Sequence, residues 1–198
     1  MLYLPILILL LIILSILAYT QSSKSEGYVN PNINQKLRKL FTDHAVWTKI
    51  FIDAFLSNLP PEQITLIVQR LKQNQDDIGN GVRPFVGNQK ANLLAKLLWE
   101  HIQSASATAI SAKEKRPDLQ NKINLQMMNS DQVAQALSNL NPQKLPYPEM
   151  QRMFRIHNQY VIDQVVAGLN KDWKKLNQSY DEYYNEILDM ADMISMAL

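Results

Sequence analysis

The stretch that most constrains this chain is residues 2–19, LYLPILILLLIILSILAY, which carries no charged side chain. A spanning helix needs roughly 20 apolar residues to cross a hydrocarbon core of about 30 Å. At about 1.5 Å per residue the stretch reaches roughly 27 Å, enough for one pass with little spare length for tilt. Pro5 falls where the first turn would be, so its missing N–H costs little. A cleaved signal peptide is the competing reading. It asks for a basic leader and a shorter apolar core with small residues at its end. Here no lysine or arginine precedes the core, and Ile16 is a poor partner for a cut after Ala18. The reading adopted is a retained anchor over residues 1–20, with the membrane met through residues 2–19. Lys24, Lys36, Arg38 and Lys39 come after the stretch. The positive-inside rule therefore sets the remainder on the cytoplasmic side.

Beyond residue 20 the chain is polar and long enough for one domain with a real core. Its chemistry is bounded by what is missing. No cysteine is present, which rules out disulfides, thiolate metal sites and cysteine nucleophiles. The formal net charge is only +2, and the small basic group Lys113, Lys115, Arg116 is interrupted by Glu114. That is no nucleic-acid footprint, so no nucleic-acid partner is expected.

Residues 21–33, with Gly27 and Pro31, lack periodicity and are expected to form a flexible stalk. Beyond them apolar residues recur in steps of three and four, the mark of helices with one buried stripe. The first helix is expected over 34–58, with Leu37, Leu40, Phe41, His44, Trp47, Thr48, Phe51 and Phe55 inward, stopped by Pro60 and Pro61. A second starts at Pro61 and ends before Gly79, and the glycine-rich run 79–87 is expected to be a turn. It is no phosphate loop, because no lysine–serine/threonine pair comes after it. Further helices are expected over 89–113, 118–128 and 130–139, with Ser130 as an N-cap. After a proline-rich connector at 141–148 come two more. The last carries Trp173, Leu176, Tyr180, Tyr183 or Tyr184, Ile187 and Ile194 on its stripe. No strand-like alternation appears. The expected fold is all-α: a bundle of about six or seven helices over residues 34–198, behind an N-terminal transmembrane helix.

His44, His101 and His157 are the only histidines, and they lie 57 and 56 residues apart. Each ends a similar frame of two apolar residues, two variable ones and the histidine: LFTDH, LLWEH and MFRIH. Each sits on a long helix that leads into a break and another helix, which suggests repeated helical hairpins. Three inward imidazoles on facing helices could share a divalent transition metal, with Asp43 and Glu100 beside two of them as further ligands. Glu-x-x-His and His-Glu-x-x-His are both missing. The competing reading makes the histidines core residues with satisfied ring nitrogens and gives the protein no cofactor. No catalytic set is assigned. The acidic neighbours Asp76–Asp77 and Asp181–Glu182 point about 100° apart on a helix, and no serine has an elbow or a base.

Several blocks resemble, in order, an uncharacterised family of small all-helical proteins of bacteria and large DNA viruses. They are DHAVWT at 43–48, LKQNQDDIG at 71–79, PFVG at 84–87, LWEHI at 98–102, residues 150–157 and MAD at 190–192. The resemblance covers nearly the whole domain but not the anchor. It implies a helical fold, brings no established activity, and points to a virion or host membrane as the setting. The function expected from these readings is that of a single-pass membrane protein with a structural or protein-interaction role and a protein partner. The alternative is a metal-binding helical bundle built on the three histidines, with metalloenzyme chemistry open to it.

Overall fold

The computed structural model describes residues 31–198. The anchor and nearly all of the stalk, through residue 30, lie outside the described residues. Every regular element among the described residues is an α-helix: α1 (Pro31–Leu56), α2 (Pro61–Lys113), α3 (Leu119–Ser138), α4 (Tyr147–Leu169) and α5 (Trp173–Ala197). None of these is long and apolar enough to cross a membrane.

Five helices stand where six or seven were expected, and two boundaries account for the difference. The run 79–87 is helix up to its last residue, and the chain turns at Gly87 alone (φ 79°, ψ 170°). That conformation is open to glycine and closed to L side chains. The arms of α2 before and after Gly87 fold back on each other. A Cβ at Gly79 would lie 2.8 Å from Ala95 Cβ and 2.9 Å from the Ala91 carbonyl oxygen. The glycine that resembled a turn signal is a place where two helix backbones touch. The second boundary, at Ser130, does not exist. Ser130 is buried in the middle of α3 and its hydroxyl donates to the Gln126 carbonyl at 2.8 Å. A hydroxyl that finds a backbone acceptor four residues back can sit inside a helix rather than cap one. The stalk also ends earlier than expected, since residues 31–33 belong to α1 and Ile33 is in the core.

Three helix ends share one construction. Asn58, Lys115 and Lys171 are the described non-glycine residues with positive φ (55°, 52° and 59°). After each, the next N–H reaches back over the helix end: Leu59 to Ala54 (3.1 Å), Arg116 to Ser111 (2.9 Å) and Asp172 to Ala167 (2.8 Å). This is the left-handed closure that satisfies the last carbonyls of a helix. Each closure comes at the same offset, about four turns beyond a histidine. Asp172 then caps α5, accepting from the Lys175 amide at 3.0 Å.

The helices pack in chain order and α5 returns to α1, closing the bundle. Arg38 and Asn34 of α1 bond Asp192 of α5 at 2.6 and 2.8 Å. The interior holds two apolar clusters. The first includes Leu40, Phe41, Leu97, Leu98, Met153 and Phe154, the apolar pair of all three histidine frames, with Ile187, Met190 and Ile194 of α5. The second includes Phe51, Phe55, Ile67, Leu71, Ile102, Ala109 and Val165. On α1, the second arm of α2, and α4, the pairs ahead of the histidines feed the first cluster and residues within about three turns beyond feed the second. The histidines therefore form the level between them. Trp173, expected inside, is 59% exposed.

Candidate functional site

The helical spacing that buries the apolar pairs also turns the next position of that face inward, three or four residues later. In all three frames that position is histidine, and His44, His101 and His157 are all buried. They come from α1, α2 and α4, and the bundle brings them together. The ring centres of His44 and His157 are 6.0 Å apart and stacked, and those of His101 and His157 are 5.7 Å apart. Tyr183 of α5, completely buried, places its ring 5.0 Å from His157. Phe154 meets His101 edge-on at 6.0 Å.

Each imidazole is held at Nδ1 by a polar side chain from the helix that comes after its own. His44 Nδ1 lies 3.1 Å from the Gln75 amide nitrogen. His101 Nδ1 is 3.0 Å from Asn129 Oδ1, and His157 Nδ1 is 3.0 Å from Glu186 Oε2. Since Oδ1 and a carboxylate oxygen only accept, the hydrogen of each of these two bonds sits on Nδ1 of His101 and of His157. Asn129, and Asn74 beside Gln75, are themselves fixed alike. The Asn74 amide, next to Gln75, donates to the Leu40 carbonyl at 2.9 Å, and the Asn129 amide donates to the Leu97 carbonyl at 3.1 Å. Leu40 and Leu97 each lie one helical turn before their histidine.

A cavity of about 20 Å³ lies at the centre, lined by His44, Gln75, His101 and His157 together with Phe41, Ile78, Leu98, Phe154, Ile187 and Met190. That is room for about one water-sized ligand. Burial governs the electrostatics. It pushes His44 down from the usual histidine range to about 3, helped by the neighbouring His157 and His101 and opposed by a hydrogen bond to Asn74. Burial, with His157, likewise takes His101 to about 3 against its Asn129 bond. Burial also raises the Tyr183 phenol well above its ordinary value. Both imidazoles are thus neutral at pH 7 and able to act as ligands or acceptors.

The expected carboxylates are elsewhere. Asp43 pairs with Lys39 at 2.7 Å and Arg70 at 3.6 Å, and Glu100 faces Lys96 at 3.5 Å. Neither lines the cavity. Residues adjacent to an inward position on a helix point about 100° away, which removes Asp43 and Glu100 from the candidate site. The carboxylate that belongs to the histidine level is Glu186, whose Oε1 is buried without a partner. Its signal was available in register: Gln75, Asn129 and Glu186 come 31, 28 and 29 residues after their histidines. As the side chains stand, no group of three or more His, Cys, Asp or Glu among the described residues is set to hold a metal ion.

Glu186 also walls an open groove of about 420 Å³ between α4 and α5, whose other polar lining includes Glu149, Arg152, Glu182 and Asp189. No family model matches the chain, and no curated protein or solved structure does either.

Proposed function

We propose that this chain is a single-pass membrane protein whose helical bundle plays a structural or protein-interaction role in a virion or host membrane. The observation that carries the reading is the uncharged stretch 2–19 ahead of a bundle none of whose described helices is long and apolar enough to cross a membrane. Attachment therefore falls to residues 2–19. The bundle itself reads as three copies of one helical hairpin. Three features support that: the 57- and 56-residue spacing of the histidines, the common position of their Nδ1 partners, and the left-handed helix ends at Asn58, Lys115 and Lys171. A threefold bundle with a buried centre suits a scaffold. Its protein partner is expected at exposed apolar side chains near the α4–α5 junction, Val166, Leu169 and Trp173.

Alkaline extraction of membranes carrying the full chain tests the attachment. The chain should stay in the membrane pellet, while the double variant Leu10→Arg, Ile13→Arg should be released, because each arginine at mid-span costs about 2.5–3.5 kcal/mol. Release of the unaltered chain into the supernatant would end the anchor reading.

A further inference from the structure

We propose that His44, His101 and His157 bind one divalent transition-metal ion at the centre of the bundle, through their three Nε2 atoms, with Gln75, Asn129 and Glu186 as the groups that orient the rings. This goes beyond the anchor reading and does not depend on it.

The geometry points to an ion in four ways. First, three imidazoles from three helices bound one cavity of about 20 Å³, the volume of a single small ligand. Second, the spacing is close to that of a shared ion. With each nitrogen 2.0–2.1 Å from the metal in a tetrahedral arrangement, ring centres stand about 5 Å apart. Here two of the pairs stand 5.7 and 6.0 Å apart. The rings are therefore somewhat too open to hold the ion as they stand, in keeping with the lack of a ready-made ligand group.

Third, the outer bonds are those a ligand histidine makes. Metal-binding imidazoles present one nitrogen to the metal and give the other N–H to a carboxylate or carbonyl, which fixes both tautomer and orientation. His157 does so with Glu186 and His101 with Asn129. His44 needs one change. Its Nδ1 faces the Gln75 amide nitrogen, which would leave the proton on Nε2. Turning that amide end for end presents its oxygen to Nδ1 and frees Nε2, and it gives up the bonds the amide nitrogen donates to the Leu71 carbonyl and to Asn74 Oδ1, both at 3.1 Å. Gln75 is thus the group that must change on loading. Fourth, the remaining walls are apolar: Phe41, Ile78, Leu98, Phe154, Ile187 and Met190. Such a shell gives water few partners and strengthens the ion–nitrogen attraction by lowering the local dielectric. Three imidazole ligands suit zinc, cobalt, nickel or copper and not magnesium or calcium, which want oxygen. A fourth position is left for a small exogenous ligand, as in three-histidine zinc sites.

The test uses the full chain in detergent, stripped with chelator and dialysed against zinc chloride. The expected result is about one zinc per chain. Uptake should fall at least tenfold in His101→Gln and in His157→Gln, with helical content checked by circular dichroism. No cysteine is present and there are no other histidines, so the background is low. Should either variant fail to fold, X-ray absorption on the zinc-loaded unaltered chain answers the question by counting imidazoles: three are expected. No uptake by the folded chain, uptake that survives both substitutions, or fewer than three imidazoles per zinc would each overturn the site.

Discussion

At the scale of the residue, the histidines are unusual for being neutral so far inside. Without metal, His44 and His101 are held near 3 by burial and by their histidine neighbours, against about 6.5 in the unfolded chain. Their folded pKa is depressed, so between about pH 6.5 and pH 3 the unfolded state binds the extra protons. Stability is complete above about 6.5 and is lost as pH falls, by up to about 1.4 kcal/mol per pH unit for each histidine. The groups facing them offer little relief. His44 meets Gln75, Asn74, His157 and Tyr183, and His101 meets Asn129, Phe154 and His157. Urea melts in chelator from pH 7 to pH 4 should therefore give a steeper loss for the unaltered chain than for His44→Gln, whose slope lacks one proton. Carboxylates such as Glu149, held low by the Arg152 guanidinium, titrate in both and cancel. Equal slopes would mean that His44 is hydrated or charged in the folded chain.

At the scale of the element, the glycines decide where helices bend and where they touch. Gly87→Ala places an L side chain at φ 79°, ψ 170°, with no atom within 4 Å of the new Cβ. The cost is thus purely conformational, about 1–3 kcal/mol, read as a lower urea midpoint with unchanged slope. Gly79→Ala has the opposite character. The helix gains up to about 1 kcal/mol of propensity, but the Cβ meets the Ala91 carbonyl, a backbone atom that cannot swing aside. Overpacking of about 1–3 kcal/mol should win. A stabilised Gly79→Ala would show that the two arms of α2 do not pack this closely.

These positions also show what the sequence could and could not convey. The stripes of α1, α4 and α5 were legible because apolar residues recur at helical spacing, and the three histidines stood out by their common frame. The run from Gly79 holds its turn at Gly87 alone, and Gly79 misled, because a glycine that lets backbones meet looks the same in sequence as a glycine in a turn. Ser130 misled likewise, because a hydroxyl can cap a helix or bond backward within it. The convergence of the histidines is a tertiary fact that spacing only suggested. Asp43 and Glu100 were chosen for adjacency in sequence, which on a helix means a different face. Glu186 was missed because its relation to His157 crosses from α4 to α5.

At the scale of the whole molecule, the histidine level ties the two apolar clusters into one unit. Gln75, Asn129 and Glu186 each join a histidine to a neighbouring helix, and their bonds lie between the clusters that contain Leu40 and Phe154 on one side and Phe51 and Val165 on the other. A layer joined by these buried bonds is costly to open halfway, since each separated group would be left buried and unbonded. The bundle should therefore unfold as one body. The chain supplies a separate probe for each side: Trp47 and Trp99 pack against the second cluster, while Tyr160, Tyr180, Tyr183 and Tyr184 pack in or against the first. Thermal transitions monitored by tryptophan fluorescence, tyrosine near-ultraviolet dichroism and far-ultraviolet dichroism should coincide. In His157→Ala, which removes the ring that meets both other histidines, the tryptophan and tyrosine transitions should separate. Coincidence in the variant as well would mean that helix packing alone couples the two clusters. Separation in the unaltered chain would mean that the level does not couple them at all.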